Sequence, residues 1–78
     1  MEEKFIKALK YYRIERGFTQ EDLAQAANIN EKYYGKIERG ESSPTLAIFF
    51  CICNALDTTP SVFMDIMEKI NEIKKQDT

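Results

Sequence analysis

Three residues, Asn28-Ile29-Asn30, separate a pair of short stretches of helical character, and this spacing constrains the fold more than any other feature of the chain. The stretch before the joint is Thr19–Ala27. Its apolar stripe, Leu23, Ala24 and Ala27, is narrow and mostly small, which lets a second helix cross closely. Thr19 is placed to cap its start, with Glu21 and Asp22 favourable against the helix dipole. The stretch after the joint is Glu31–Arg39, closed by Gly40. Within the joint, Asn28 tolerates a positive φ, Ile29 is an apolar residue expected to point inward, and Asn30 is a good N-cap for the helix beginning at Glu31.

The same punctuation divides the rest of the chain. Glu3–Arg16 carries Phe5, Ile6, Leu9 and Tyr12 at helical spacing, with Lys4, Lys7 and Lys10 on the other side, and Gly17 is the natural stop. Ser43-Pro44 reads as an N-cap followed by a first helical residue, so a fourth helix is predicted from about Pro44 or Thr45 to Leu56. Thr59-Pro60 repeats that logic and opens a fifth helix running to about Lys75, with Gln76–Thr78 expected to fray. The predicted fold is all-α, five helices in one domain over residues 1–78, with no strand and no internal repeat. Segments two and three have the geometry of a helix-turn-helix.

Composition narrows the function. The chain has 78 residues, 11 basic and 13 acidic side chains and a formal charge of −2. One domain is all this length allows, and at this size folding buries only roughly 60% of the unfolded surface. A coat that holds nucleic acid by bulk charge is excluded. The chain contains no His, which removes the commonest general base and metal ligand. It also has no Gly-rich phosphate loop and no obvious paired carboxylates, so no catalytic site, cofactor or metal is expected. No apolar run approaches the roughly 20 residues of a membrane span, and no secretory leader is evident. Cys51 and Cys53 are too close to form a disulfide framework and, without His, make no zinc site; they read as small buried hydrophobes in a reducing, cytoplasmic setting.

Thr19-Gln20-Glu21-Asp22-Leu23-Ala24, Asn28-Ile29, Ile37-Glu38-Arg39-Gly40 and Ser43-Pro44-Thr45-Leu46 together resemble the phage-repressor (Cro-like, XRE) helix-turn-helix family. The resemblance runs from Leu9 to Phe63 without a gap. It implies a compact lambda-repressor-like domain that binds double-stranded DNA, usually as a dimer on a palindrome, with the third segment as recognition helix. The short chain and long fifth helix look most like the controller proteins of restriction–modification systems. Small antitoxins and phage-type repressors share the pattern.

On the family's positions, Asn30, Glu31, Lys32 and Lys36 are expected to face the bases. Lys32 and Lys36 lie four apart on one helix face and suit guanine O6/N7 or phosphate, while Glu31 can accept from a cytosine amine. Gln20, Tyr33 and Arg39 are expected on the DNA backbone, Gln20 with the N-terminus of the second segment behind it. Tyr34 stands at a core position. Gly35 departs from the pattern, because a mid-helix glycine costs roughly 1 kcal/mol relative to alanine. Two readings stand open for it: tolerance in a short packed helix, or close approach of backbone to DNA. Arg13 and Glu38 occupy positions the family often pairs in a partly buried, structural ion pair.

The fourth segment is apolar almost all round. Leu46, Phe49, Ile52, Cys53 and Leu56 suffice for a core stripe, which leaves Ala47, Ile48 and Cys51 over. Val62, Phe63, Ile66, Met67, Ile70 and Ile73 make a long stripe on the fifth. A homodimer is expected through these two helices, using Phe50, Cys51, Ile66, Ile70 and Ile73. The leading expectation is a sequence-specific transcriptional regulator without catalysis; the rival is an antitoxin or other protein-binding module, with a toxin as partner. Charge divides along the chain: residues 1–40 hold 8 basic and 7 acidic side chains, residues 41–78 hold 3 and 6. Binding must then rest on a narrow face and paired contacts.

Overall fold

A computed structural model describes the backbone of residues 3–76 and the side chains of residues 3–70. Five helices follow one another: α1 Glu3–Glu15, α2 Gln20–Ala27, α3 Glu31–Glu38, α4 Leu46–Ala55 and α5 Pro60–Gln76, with no strand among the described residues. α5 extends one residue beyond its expected end, and residues 77 and 78 lie outside the described residues.

Each helix from α2 onward begins where a side chain can stand in for the missing turn. Thr19 and Asp22 form a reciprocal capping box, the Thr19 hydroxyl accepting from the Asp22 N–H at 3.0 Å and the Asp22 carboxylate from the Thr19 N–H at 3.1 Å. Asn30 caps α3 and Thr59 caps α5. The α4 cap differs from the one expected. Thr45, not Ser43, accepts from the Ile48 N–H at 3.1 Å, so the helix starts at Leu46, after Thr45 in extended conformation. Asn28 takes the left-handed conformation (φ 59°) that the turn requires. Asp57 does the same after α4 (φ 56°), a turn without an Asn or Gly to announce it.

The core forms around Phe63. This ring stacks on Tyr12 (5.4 Å between centroids, 12° between planes), meets Phe49 edge-on at 5.2 Å and touches Phe5 at 5.4 Å. One residue of α5 therefore fastens α1 and α4 together. Leu9, Leu23, Ala24, Tyr34, Ile37, Ile52, Cys53 and Leu56 fill the remainder, fully buried. The small stripe on α2 does bring neighbours close, since α2 packs against both α3 and α4. Ala8, absent from the predicted α1 stripe, is fully buried, whereas Ile6 is only half-buried. Arg16 donates to the Leu56 carbonyl at 2.8 Å, satisfying an orphan acceptor at the end of α4.

Three further apolar positions depart from expectation. Leu46 is 67% exposed: as the first residue of α4 it sits at the rim, a turn short of the neighbours that cover Phe49. Val62, one position out of phase with buried Phe63, is 50% exposed. Cys51 is exposed while Cys53 is buried, with its thiol pKa pushed up to about 11 by that burial. Only one of the two thiols is thus a core residue of the single chain.

Candidate nucleic-acid interface

α3 separates two environments. Its inner side carries Tyr34, Ile37 and Glu38, all essentially without exposure. Arg13 reaches across from α1 to hold Glu38 at both oxygens, Nε donating at 3.2 and 3.0 Å and Nη2 at 2.9 Å. Its third nitrogen donates to the Phe18 carbonyl at 2.8 Å, so one guanidinium ties α1, the α1–α2 turn and α3. Burial is the largest single influence and works against the Glu38 charge, but the Arg13 hydrogen bonds and charge, helped by Tyr34 and Gln20, together outweigh it and its pKa is lowered. The Tyr34 hydroxyl is buried near this pair without a hydrogen bond of good geometry; burial first, then the closeness of the Glu38 carboxylate as an acceptor and as a charge, drive its pKa up.

The outer side is polar and open. Glu31, Lys32 and Lys36 are exposed, and with Gln20, Gly35 and Arg39 they line a shallow cleft between the start of α2 and the length of α3. Five of the seven residues expected at DNA therefore share one surface. The other two, Asn30 and Tyr33, do not line the cleft. Asn30 Oδ1 accepts from the Tyr33 N–H at 3.1 Å, which commits its oxygen to the cap and leaves its amide N–H groups to donate. Tyr33 is half-buried, packs on the core and donates to the Ser43 carbonyl at 3.4 Å, bracing the loop before α4.

Gly35 is buried, and the atoms over it belong to the chain itself. A Cβ there would lie 3.0 Å from Arg39 Nη1 and 3.4 Å from Gln20 Oε1. Neither reading of this glycine foresaw that covering. Arg39 Nε also donates to Glu41 at 2.7 Å. Glu41 was missed in the sequence; its signal was the left-handed Gly40 before it (φ 80°), which turns the chain back toward α3.

A second surface lies on α4 and α5. Phe50 and Cys51 are exposed, and Leu46 and Met64 border an apolar hollow with Phe5, Phe49 and Met67. Ile66 and Ile70 are half-buried against the core, so they offer only part of their surface. The side chain of Ile73 lies outside the described residues.

Residues 9–63 match the helix-turn-helix family HTH_3. The chain belongs to that family. It is 38% identical over 68 residues to the uncharacterized HTH-type transcriptional regulator YqaF of Bacillus subtilis (strain 168), covering 87% of each chain. It is 39% identical over 56 residues to the HTH-type transcriptional regulator SutR of Escherichia coli (strain K12), covering 72% of this chain and 32% of that one. Among solved structures, the restriction–modification controller protein C.Esp1396I superposes with a TM-score of 0.80 at 33% identity, over 85% of both chains. The same protein has been solved as a tetramer on its natural 35 base-pair operator, and that structure superposes with a TM-score of 0.79 over 85% of this chain and 87% of that one. The likeness to controller proteins expected from the sequence is thereby shown, and so is the five-helix fold. These are families of DNA-binding regulators and not of enzymes.

Proposed function

We propose that this protein is a sequence-specific, non-catalytic transcriptional regulator of the cytoplasm that binds a palindromic operator as a homodimer. One observation carries the reading: Gln20, Glu31, Lys32, Lys36 and Arg39 gather in a single open cleft along α3. In a helix-turn-helix the second helix lies in the major groove and the first crosses the backbone. Glu31, Lys32 and Lys36 then read bases, joined by the amide donors of Asn30. Gln20 and Arg39 bind phosphate. Tyr33, tied to Ser43, supports the flanking backbone contact rather than reaching deep into the groove.

The exposed apolar side chains of α4 and α5 supply the two-fold. Phe50 and Cys51 with the accessible edges of Ile66 and Ile70 form its centre, and Leu46 and Met64 extend it; Ile73 is assigned to it from the sequence pattern alone. Paired recognition helices about 34 Å apart meet successive major-groove faces. The tetrameric assembly of C.Esp1396I on its operator supports oligomeric binding in a similar protein.

The test is a titration with duplex DNA from upstream of the protein's own gene at several salt concentrations. Specific binding that weakens steeply with salt is expected. No binding, together with a stable complex with another protein such as a toxin, would replace this reading with the antitoxin one. Sedimentation of Phe50→Glu is expected to give monomer where the parent gives dimer; a monomeric parent at micromolar concentration refutes the two-fold.

A further inference from the structure

Gly35 and Arg39 are one device. The missing Cβ leaves a notch in α3, and the Arg39 guanidinium folds back one turn to occupy it, beside Gln20. Glu41 holds the guanidinium from the other side, through Nε at 2.7 Å. Backbone geometry delivers this carboxylate: Gly40 takes φ 80°, and the Glu41 N–H donates to the Lys36 carbonyl at 2.8 Å. Both side chains are 55% exposed, so the pair stands in water at the mouth of the cleft and not in the core.

We propose that Glu41 restrains DNA affinity, acting as an internal counter-anion that a phosphate must displace from Arg39. The inference rests on the DNA-binding reading above. Sequence-independent affinity comes from neutralising phosphates with Lys and Arg. The cleft offers three cations, Lys32, Lys36 and Arg39, on a chain whose net charge is −2. Pairing one of them within the chain removes a sizeable share of that attraction, while leaving the cation in place for a duplex that docks closely. The exposed pair is held by little beyond its own contact, so displacement is easy once a phosphate arrives.

Fluorescence anisotropy with two duplexes of equal length, one from upstream of the gene and one of random sequence, tests this across a salt series. Glu41→Gln is expected to bind both duplexes several-fold more tightly. Its slope of log K against log salt should steepen by up to about one for each protomer. Arg39→Ala should bind more weakly, and adding Glu41→Gln to it should tighten binding far less than in the parent, the small remainder coming from Glu41's weaker influence on Lys36. A melting temperature equal to the parent's confirms that each variant folds. If Glu41→Gln binds no more tightly than the parent, or tightens the Arg39→Ala variant equally, the counter-anion role is overturned although the DNA reading stands. If the parent binds neither duplex, the DNA reading fails and takes this inference with it.

Discussion

Glu38 and Arg39 are neighbours in sequence, and each belongs to an Arg–Glu pair, but the two pairs face opposite sides of α3. The inner pair, Arg13–Glu38, leaves the Glu38 side chain 1% exposed and Arg13 16% exposed, with both carboxylate oxygens engaged. The outer pair, Arg39–Glu41, is 55% exposed on both sides and rests on one hydrogen bond. The chemistry is the same and the surroundings differ. Water screens the outer pair and can replace either partner, so it is free to exchange with a ligand. The Glu38 carboxylate is almost closed to water, so losing Arg13 would leave its charge uncompensated and the inner pair belongs to the fold.

The largest expected effect breaks the inner pair from one side. Arg13→Ala strands a buried carboxylate and also frees the Phe18 carbonyl; the loss is about 3–5 kcal/mol, read by urea unfolding. In so small a domain that is much of the total stability. An unchanged melting temperature would show that the pair contributes nothing. The pH dependence tests the same contact more gently. Because the Glu38 pKa is lower in the folded state than its ordinary 4.5, its stabilisation is present above that value. As the pH falls through 4.5 toward the lowered folded value, the unfolded chain takes up the proton first and stability drops. Glu38→Gln should flatten this acid limb at an overall cost in stability. Glu41→Gln, with its carboxylate in water, should leave the melting temperature unchanged and alter only DNA binding.

The two sides of α3 were not equally legible in the sequence. The helix starts and stops were readable because caps are local: Thr19, Asn30, Gly17 and Gly40 act within a few residues. The inner pair was accessible only through resemblance, since Arg13 and Glu38 lie 25 residues apart and no local pattern joins them. The α4 cap was misplaced because Ser43 and Thr45 are both good caps in isolation and local sequence does not choose between them; the structure uses Thr45. Leu46 and Val62 follow the periodicity of a buried stripe but lie at its edge, where period alone does not decide exposure. Gly35 was visible as an anomaly without a cause. The cause is the return of Arg39 along α3 and the approach of Gln20 from α2, a tertiary arrangement that helical spacing by itself does not give.

The smallest expected effect acts between the two pairs, at Gly35. Replacing it with alanine removes a helix-interior glycine, a gain of up to about 1 kcal/mol. Against this, the new Cβ meets Arg39 Nη1 at 3.0 Å and Gln20 Oε1 at 3.4 Å. Both are far ends of flexible side chains at the cleft, and they can withdraw into solvent without disturbing the core. The melting temperature of Gly35→Ala should therefore rise by a few degrees. DNA binding should weaken, because Arg39 no longer lies in the notch beside Gln20 and must be ordered anew when a phosphate arrives. Lower stability would mean that the notch is rigid and that Arg39 belongs with the inner, fold-holding side of α3. Higher stability with unchanged binding would mean that Arg39 needs no prepared seat beside Gln20.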